Sequence, residues 1–351
     1  MRSYNVAIVG ATGLVGQEFT KILQQRKFPV ATLRLLASDR SAGRKMAFNG
    51  GEVMVEETAL TSFKNIDLAL FSAGAEVSTR FAPAAAESGA VVVDNSAAWR
   101  MEDTVPLVVP EVNPDDVMKH KGIIANPNCS TIQMVVALYP IHKVNPIKRI
   151  VVSTYQSVSG TGTPAMEELS NQAKAVLEGK CVVPHIYPHQ IAFNMLPEID
   201  VFRDDGYTKE EWKMVNETRK IMHAPNILVS ATCVRVPVYL GHSEAINVEL
   251  TNKMTAEQAR QTLIGAPGVN VLDDPTVSHY PHPWMAAGQD DVWVGRIRED
   301  ISCPNGLVMW VVSDNIRKGA ALNAIQIAEI LAERGLLGAG RNNSHPTISP
   351  N

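Results

Sequence analysis

The sequence predicts an α/β protein made of an N-terminal doubly wound parallel sheet and a second domain of α+β type, and three observations carry that reading. The chain opens with a short apolar run, residues 5–9, that stops at Gly10 and gives way to a helix-favouring stretch at 17–25 rich in Gln, Glu, Lys and Leu. Apolar runs at 33–37, 66–71 and 91–93 then alternate with helix-like stretches such as 81–88, which is the pattern of βαβ units. After about residue 126 the pattern changes to β-rich runs at 149–155, 232–238, 245–250 and 307–313 separated by long loops, as expected of a substrate domain. Segment 318–334 returns to a helical period through Leu322, Ile325, Ile327 and Leu331, with Gly335 where a helix would stop. Beyond Gly338 the chain is rich in Gly, Asn, Ser and Pro, the composition of a flexible tail at 339–351.

Composition narrows the function. The 351 residues are enough for two domains, and 45% apolar content with a mean hydropathy near zero fits a well-buried core. No signal peptide precedes the first apolar run, and no run approaches the roughly 18 apolar residues of a membrane span, so the expected location is the cytoplasm. A net charge of −4, from 32 basic and 36 acidic residues with no basic block, argues against a nucleic-acid partner. Cys129, Cys181, Cys233 and Cys303 lie far apart without metal-type spacing, so neither a disulfide framework nor a structural metal is expected.

The first turn reads Gly10-Ala11-Thr12-Gly13-Leu14-Val15-Gly16. Glycines there let the backbone approach a pyrophosphate, and the helix that follows offers N–H donors and a favourable dipole. Taken alone, a glycine-rich turn is only a tight turn; its place between strand and helix makes it a dinucleotide site. The second strand ends at Ser38-Asp39-Arg40-Ser41, where a ribose contact is expected. Asp39 suits a free 2′-hydroxyl and NAD, whereas Arg40 with the serines suits the 2′-phosphate of NADP; NADP is preferred.

Cys129 is the cysteine whose surroundings suit chemistry. It follows Asn126-Pro127-Asn128 and precedes Ser130 and Thr131, ahead of the apolar stretch 132–139, so it is expected at a capped helix start. A helix end contributes about 0.3–1 kcal/mol, less than the roughly 1.4 kcal/mol of one pKa unit, so the thiol needs a basic partner. Spacing does not choose among nine histidines. His185, His189, His279 and His282 stand near prolines, and the pair His279 and His282 lacks a third metal ligand; His242 follows Gly241 just after the β-rich run that contains Arg235.

The segments Asn126 to Thr131 and Tyr155-Gln156-Ser157-Val158-Ser159-Gly160-Thr161-Gly162 resemble the aspartate-semialdehyde dehydrogenase family, as do the first glycine turn, residues 96–100, Glu210-Glu211-Trp212-Lys213, the stretch from Arg235 to His242, and Asp314 to Ala321. Several separated motifs in one order are more specific than any single motif. The resemblance implies a Rossmann-like NADP-binding domain (1–127 plus 318–338) completed by the C-terminal helix, and a central catalytic and dimerisation domain (128–317) in a homodimer or dimer of dimers. It implies NADPH-dependent reductive dephosphorylation of aspartyl-β-phosphate to aspartate β-semialdehyde in lysine, threonine, methionine and diaminopimelate biosynthesis. Cys129 is then similar to the nucleophile, His242 to the acid/base and Gln156 to the residue orienting the thioacyl intermediate. Arg235 would hold the substrate α-carboxylate and Glu210 its ammonium, with Arg100, Asn128 and Lys213 at the phosphate. The residues from Gly10 to Gly16, with Ser38, Arg40 and Asn315, would contact the cofactor.

Two alternatives remain open at this stage. N-acetyl-γ-glutamyl-phosphate reductase shares the chemistry but takes an uncharged amine, opposite which Glu210 has no partner. A catalytically silent NADP(H)-binding sensor would keep the fold without the joint presence of Cys129, Gln156, Arg235 and His242.

Overall fold

The computed structural model describes residues 2–338, so the tail expected at 339–351 lies outside the described residues. The described chain divides into two compact units: 2–108, Pro114–Asn126 and 324–338 form the first, Val109–Asn113 and Pro127–Asn323 the second. Residues 318–323 and Val109–Asn113 thus group with the second unit.

The first unit is built on a seven-stranded sheet. Its strands are β1 (Tyr4–Val9), β2 (Val30–Ala37), β3 (Lys45–Phe48), β4 (Gly51–Glu57), β5 (Leu68–Phe71), β6 (Val91–Asp94) and β7 (Ile123–Ala125), in the order β3-β4-β2-β1-β5-β6-β7. All neighbours run parallel except the β3–β4 edge hairpin, as the alternating pattern predicted. Helix α1 (Leu14–Gln25) links β1 to β2, and α2 (Ala75–Glu87) links β5 to β6 on the other side of β1. Right-handed crossovers in opposite directions put the two helices on opposite faces. β5 and β6 are buried along their whole length, as central parallel strands must be. The strand order reverses at β1, and a ligand crevice forms outside the strand ends at such a point. Gly10 sits there with φ +83°, so close to the end of β5 that a Cβ would stand 2.3 Å from the Ser72 carbonyl oxygen.

The second unit opens with helix α3 (Cys129–Val144) and carries a six-stranded mixed sheet: β8 (Ile147–Gln156), β9 (Leu228–Arg235), β10 (His242–Leu250), β11 (Val269–Val271), β12 (Val292–Glu299) and β13 (Gly306–Ser313), ordered β11-β12-β13-β10-β8-β9. Further helices are α4 (Thr163–Leu177), α5 (Lys209–Ile221), α6 (Ala256–Leu263) and the short α7 (Pro283–Ala286). Helices α3, α5 and α6 pack on the sheet. Alternation along β8 buries Ile150, Val152, Thr154 and Gln156 and leaves Val151, Ser153 and Tyr155 half-exposed on the other face. Helix α3 is apolar all round and buried nearly all round.

Several expectations need correction. The run at 232–238 is a strand only as far as Arg235, because Pro237 cannot donate to a ladder, and it starts earlier, at Leu228. The helix read at 132–139 runs from Cys129 to Val144 and passes through Pro140, whose missing N–H is outweighed by burial of the helix. The helix read at 318–334 begins with a π-helical turn at Arg317–Ala321, and regular α-helix occupies α8 (Leu322–Glu333). Gly335 ends it with φ +69°, while Leu336 N–H reaches back to the Leu331 carbonyl.

The close packing of the first turn is testable. A Cβ on Gly16 would stand 2.2 Å from the Gly10 carbonyl oxygen, so Gly16→Ala should force the turn and α1 apart at a cost of about 1–3 kcal/mol. Thermal denaturation should show a lower midpoint; an unchanged midpoint would mean the turn relaxes freely.

Candidate active site

Cys129 is the first residue of α3. Asn128 caps that helix, its Oδ1 accepting the N–H groups of Ser130 (3.0 Å) and Thr131 (3.1 Å), the role that its position before an apolar stretch predicted. Asn128 N–H in turn donates to Glu217 Oε2 at 2.7 Å. Cys129 is half-buried between buried neighbours and forms no disulfide. The chain at Gly319 passes so close that a Cβ there would lie 2.9 Å from the Cys129 Cβ, and only glycine leaves that room.

Strand register assembles the next three residues. On one side β10 pairs with β13 so that His242 is level with Ser313, and on the other with β8, Ser243 opposite Tyr155; β8 pairs with β9 so that Gln156 is level with Arg235. One step along the β8–β10 register brings His242 beside Gln156, so three strand ends present His242, Gln156 and Arg235 in a row. His242 is fully buried, and its Nδ1 accepts the Ser157 N–H at 3.1 Å. That bond assigns the neutral ring its proton at Nε2, and Nε2 has no hydrogen-bond partner. Burial, with the nearby positive charge of Arg235, pushes the His242 pKa down to about 3, so the imidazole is neutral and offers a proton from Nε2. Arg235 Nη1 donates to the Ser157 carbonyl at 2.7 Å, while its buried Nε has no hydrogen-bond partner. Tyr187 packs against that guanidinium, 5.9 Å from ring centre to Cζ. Gly160 faces both groups: a Cβ there would lie 3.0 Å from Arg235 Nη1 and 3.5 Å from His242 Nε2.

Glu210, on the first turn of α5, ties these pieces together. Its Oε1 accepts from Asn128 Nδ2 (2.7 Å) and Gln156 Nε2 (3.2 Å), and its Oε2 from Lys213 Nζ (3.0 Å). Burial would raise its pKa, but the Lys213 charge and the hydrogen bonds outweigh it and hold Glu210 ionised. Lys213 also reaches Asp200 Oδ2 at 2.9 Å, and the two carboxylates raise its pKa against the effect of burial. Asn315 joins the loops: its Oδ1 accepts from Ser157 Oγ (3.1 Å), Ser159 Oγ (3.3 Å) and Gly241 N–H (2.9 Å).

Behind the row lies a second, polar one. Two residues further from the strand ends, about 7 Å away, Glu244, Thr154 and Cys233 are level on β10, β8 and β9. Glu244 is fully buried, and burial pushes its pKa well up against a smaller opposing effect of the neighbouring Gln133 side chain, which favours the neutral acid.

The remaining expected residues stand in the first unit. Gly13 caps α1 without a side-chain hydrogen bond, so the N–H groups of the first helical turn have no side-chain cap at Gly13 to satisfy them. Thr12 Oγ1 donates to Ser41 Oγ at 3.3 Å, which draws the segment holding Ser38 and Arg40 beside the turn. The Asp39 carboxylate accepts the Arg40 N–H at 2.8 Å. The glycine turn, the helix end without a side-chain cap and the segment carrying Arg40 fit a nicotinamide dinucleotide, while Gly10 and Gly16 let the turn pack against the backbone at Ser72 and Ala11. Arg100 is buried, its Nε donating to the Asn126 carbonyl (3.0 Å) and its Nη2 to that of Asn95 (2.7 Å). Sequence reasoning missed Asp200 and Glu244 and gave Ser157 and Gly160 no role beyond their place in a motif; their contacts become visible only in the tertiary structure. Among the described residues no cluster suits a metal ion, and His282 caps α7 through its Nδ1.

The chain is similar to known proteins over nearly its whole length. The profile of the semialdehyde dehydrogenase NAD binding domain matches residues 5–120, and that of the semialdehyde dehydrogenase dimerisation domain matches residues 138–318, which defines the class as two-domain semialdehyde dehydrogenases. The aspartate-semialdehyde dehydrogenase of Aquifex aeolicus is 60% identical over 95% of this chain and 99% of its own. The chain belongs to the aspartate-semialdehyde dehydrogenase family. Among solved structures, aspartate semialdehyde dehydrogenase II of Vibrio cholerae complexed with ASA is 49% identical with a TM-score of 0.92, covering 95% of this chain and 99% of that one. The Candida albicans enzyme with NADP is 27% identical with a TM-score of 0.73, covering 95% and 100%.

The neutral acid behind the site predicts a pH effect. Because the folded pKa of Glu244 lies above its unfolded value, the folded state keeps a proton that the unfolded state releases; stability is undiminished below the unfolded pKa and falls as pH rises toward the folded one. Glu244→Gln should therefore flatten the decline in melting temperature that the wild type shows as pH rises above the ordinary carboxylate range. Parallel declines would show that Glu244 does not carry the dependence.

Proposed function

We propose that this chain catalyses the NADPH-dependent reductive dephosphorylation of aspartyl-β-phosphate to aspartate β-semialdehyde, reversibly and with release of phosphate, in the route to lysine, threonine, methionine and diaminopimelate. The observation that carries the reading is the joint placement of Cys129 at a capped helix start and of His242, Gln156 and Arg235 on three adjacent strand ends. The names of the curated relatives and the Vibrio cholerae complex with ASA support the aspartate substrate over an N-acetylated one.

In this reading the Cys129 thiolate attacks the acyl carbonyl and forms a thioester as phosphate leaves. Arg235 holds the α-carboxylate through the Nε side of its guanidinium. Glu210 faces the ammonium while fixing Asn128 and Gln156, and Gln156 orients the thioacyl group. Arg100, Asn128 and Lys213 take the phosphate. His242 shares its Nε2 proton with the acyl oxygen as that carbon is reduced and takes it back when the aldehyde carbonyl forms and the Cys129 thiolate leaves. The chemistry that a bound nicotinamide supplies is hydride transfer at the acyl carbon; the residues from Gly10 to Gly16, with Ser38, Arg40 and Asn315, would hold it. Arg40 and the NADP-bound Candida albicans structure support NADP.

The half-exposed face of the second sheet, where Tyr155 and Trp310 pack with tilted rings and centroids 5.4 Å apart, supports a homodimer together with the match to a dimerisation domain, and a dimer of dimers extends the same reading. No described helix is long and apolar enough to cross a membrane; a cytoplasmic setting suits an enzyme that depends on a reduced cysteine.

Phosphate-dependent reduction of NADP⁺ by aspartate β-semialdehyde tests the reaction. The wild type should need phosphate and prefer NADP⁺ to NAD⁺, and Cys129→Ala should be inactive. Turnover with N-acetylglutamate semialdehyde alone would replace the substrate. Arg235→Lys should raise KM for the aldehyde and lower kcat/KM by an order of magnitude or more, since an ammonium cannot copy the planar fork; wild-type constants would remove that role. His242→Ala should lose about 10²–10⁴ in kcat, and a variant turning over at the wild-type rate would exclude His242 from proton transfer.

A further inference from the structure

Lys213 meets two carboxylates, and they are not equivalent. Glu210 lies one helical turn away on α5, at 3.0 Å, and is bound up with Asn128 and Gln156. Asp200 belongs to the loop ahead of α5 and lies 2.9 Å from the same ammonium. Its second oxygen accepts the Val201 N–H at 2.9 Å, and its backbone has φ +67°, a left-handed conformation that Asp and Asn tolerate better than most residues. Both side chains of the Asp200–Lys213 pair keep contact with solvent, at 33% and 25% relative exposure, so the pair can open without stranding a charge in a dry interior.

We propose that Asp200 is a positioning residue that sets phosphate affinity by competing with phosphate for Lys213. This rests on the assignment of Lys213 to the phosphate site. A phosphate carrying about two negative charges then exchanges with Asp200 on the ammonium when it arrives, and Asp200 takes the lysine back when phosphate departs. Glu210 keeps Lys213 in place throughout. A lysine without this second partner would hold product phosphate more tightly, so the carboxylate trades affinity for release.

Asp200→Asn in the full-length protein separates this role from loop anchoring, because asparagine keeps the shape, tolerates the same backbone and still accepts a hydrogen bond from Lys213. In phosphate-dependent NADP⁺ reduction the KM for phosphate should fall at least threefold, while the KM values for aspartate β-semialdehyde and NADP⁺ stay within twofold of wild type. Inorganic phosphate at a fixed concentration should also raise the melting temperature of the variant more than that of the wild type. Asp200→Gly, which suits the same φ, should shift the phosphate KM in the same direction, and adding Lys213→Met to Asp200→Asn should abolish the gain. With an active wild type, a phosphate KM that is unchanged or raised in both Asp200 variants overturns this inference alone. A wild type whose turnover ignores phosphate overturns it together with the functional reading.

Discussion

The second unit depends on keeping the Glu210 carboxylate ionised while it is almost wholly buried. A charge in that position is tolerable only if its hydrogen-bonding capacity is met, and removing one partner of a buried charge pair costs about 3–5 kcal/mol. Asn128, Gln156 and Lys213 meet it, and each also serves the site. Asn128 is engaged at both ends: its oxygen caps α3 and its nitrogen holds Glu210. The direction of the helix that starts with Cys129 is therefore tied to the same carboxylate that fixes Gln156 and steadies Lys213.

The sheet supplies the other half of the geometry. A strand has a period of two, so a one-residue slip would turn His242, Gln156 or Arg235 to the opposite face. The register is held by long ladders on both sides of β10 and by buried apolar residues such as Ile150, Val152, Ile246 and Val248 on the helix-covered face. The row is tuned electrostatically as well. A protonated His242 beside Arg235 would place two cations in the same buried space, and the Ser157 N–H already points at Nδ1. The ring therefore stays neutral, and Arg235 remains the cation of the row.

What the sequence made legible was what local chemistry decides. The glycine turn, the strand before it, the cap at Asn128 and the stop at Gly335 each depend on a few adjacent residues, so they can be read in one dimension. Strands β3, β7 and β11 were not read because they are short edge strands, and β4 and β12 because charged residues such as Glu52, Arg296 and Arg298 blur the alternation. His242 could not be chosen from nine histidines by spacing, since its role is set by pairing between β8, β10 and β13; the family resemblance singled it out. The link from Asp200 to Lys213 joins a loop to a helix across an irregular segment and left no local mark.

The buried acid behind the row completes the electrostatic argument. An ionised Glu244 would repel both a thiolate and an oxyanion formed on the strand ends ahead of it, through a medium that screens poorly. Burial without a cationic partner leaves Glu244 protonated, so the second row adds bulk and polarity without charge. Glu210, by contrast, stays ionised because Lys213 and two amide donors match it. In the proposed function, Arg235 meets the substrate carboxylate with no carboxylate of the protein on its guanidinium, whereas Lys213 meets the phosphate while already paired with Glu210 and Asp200.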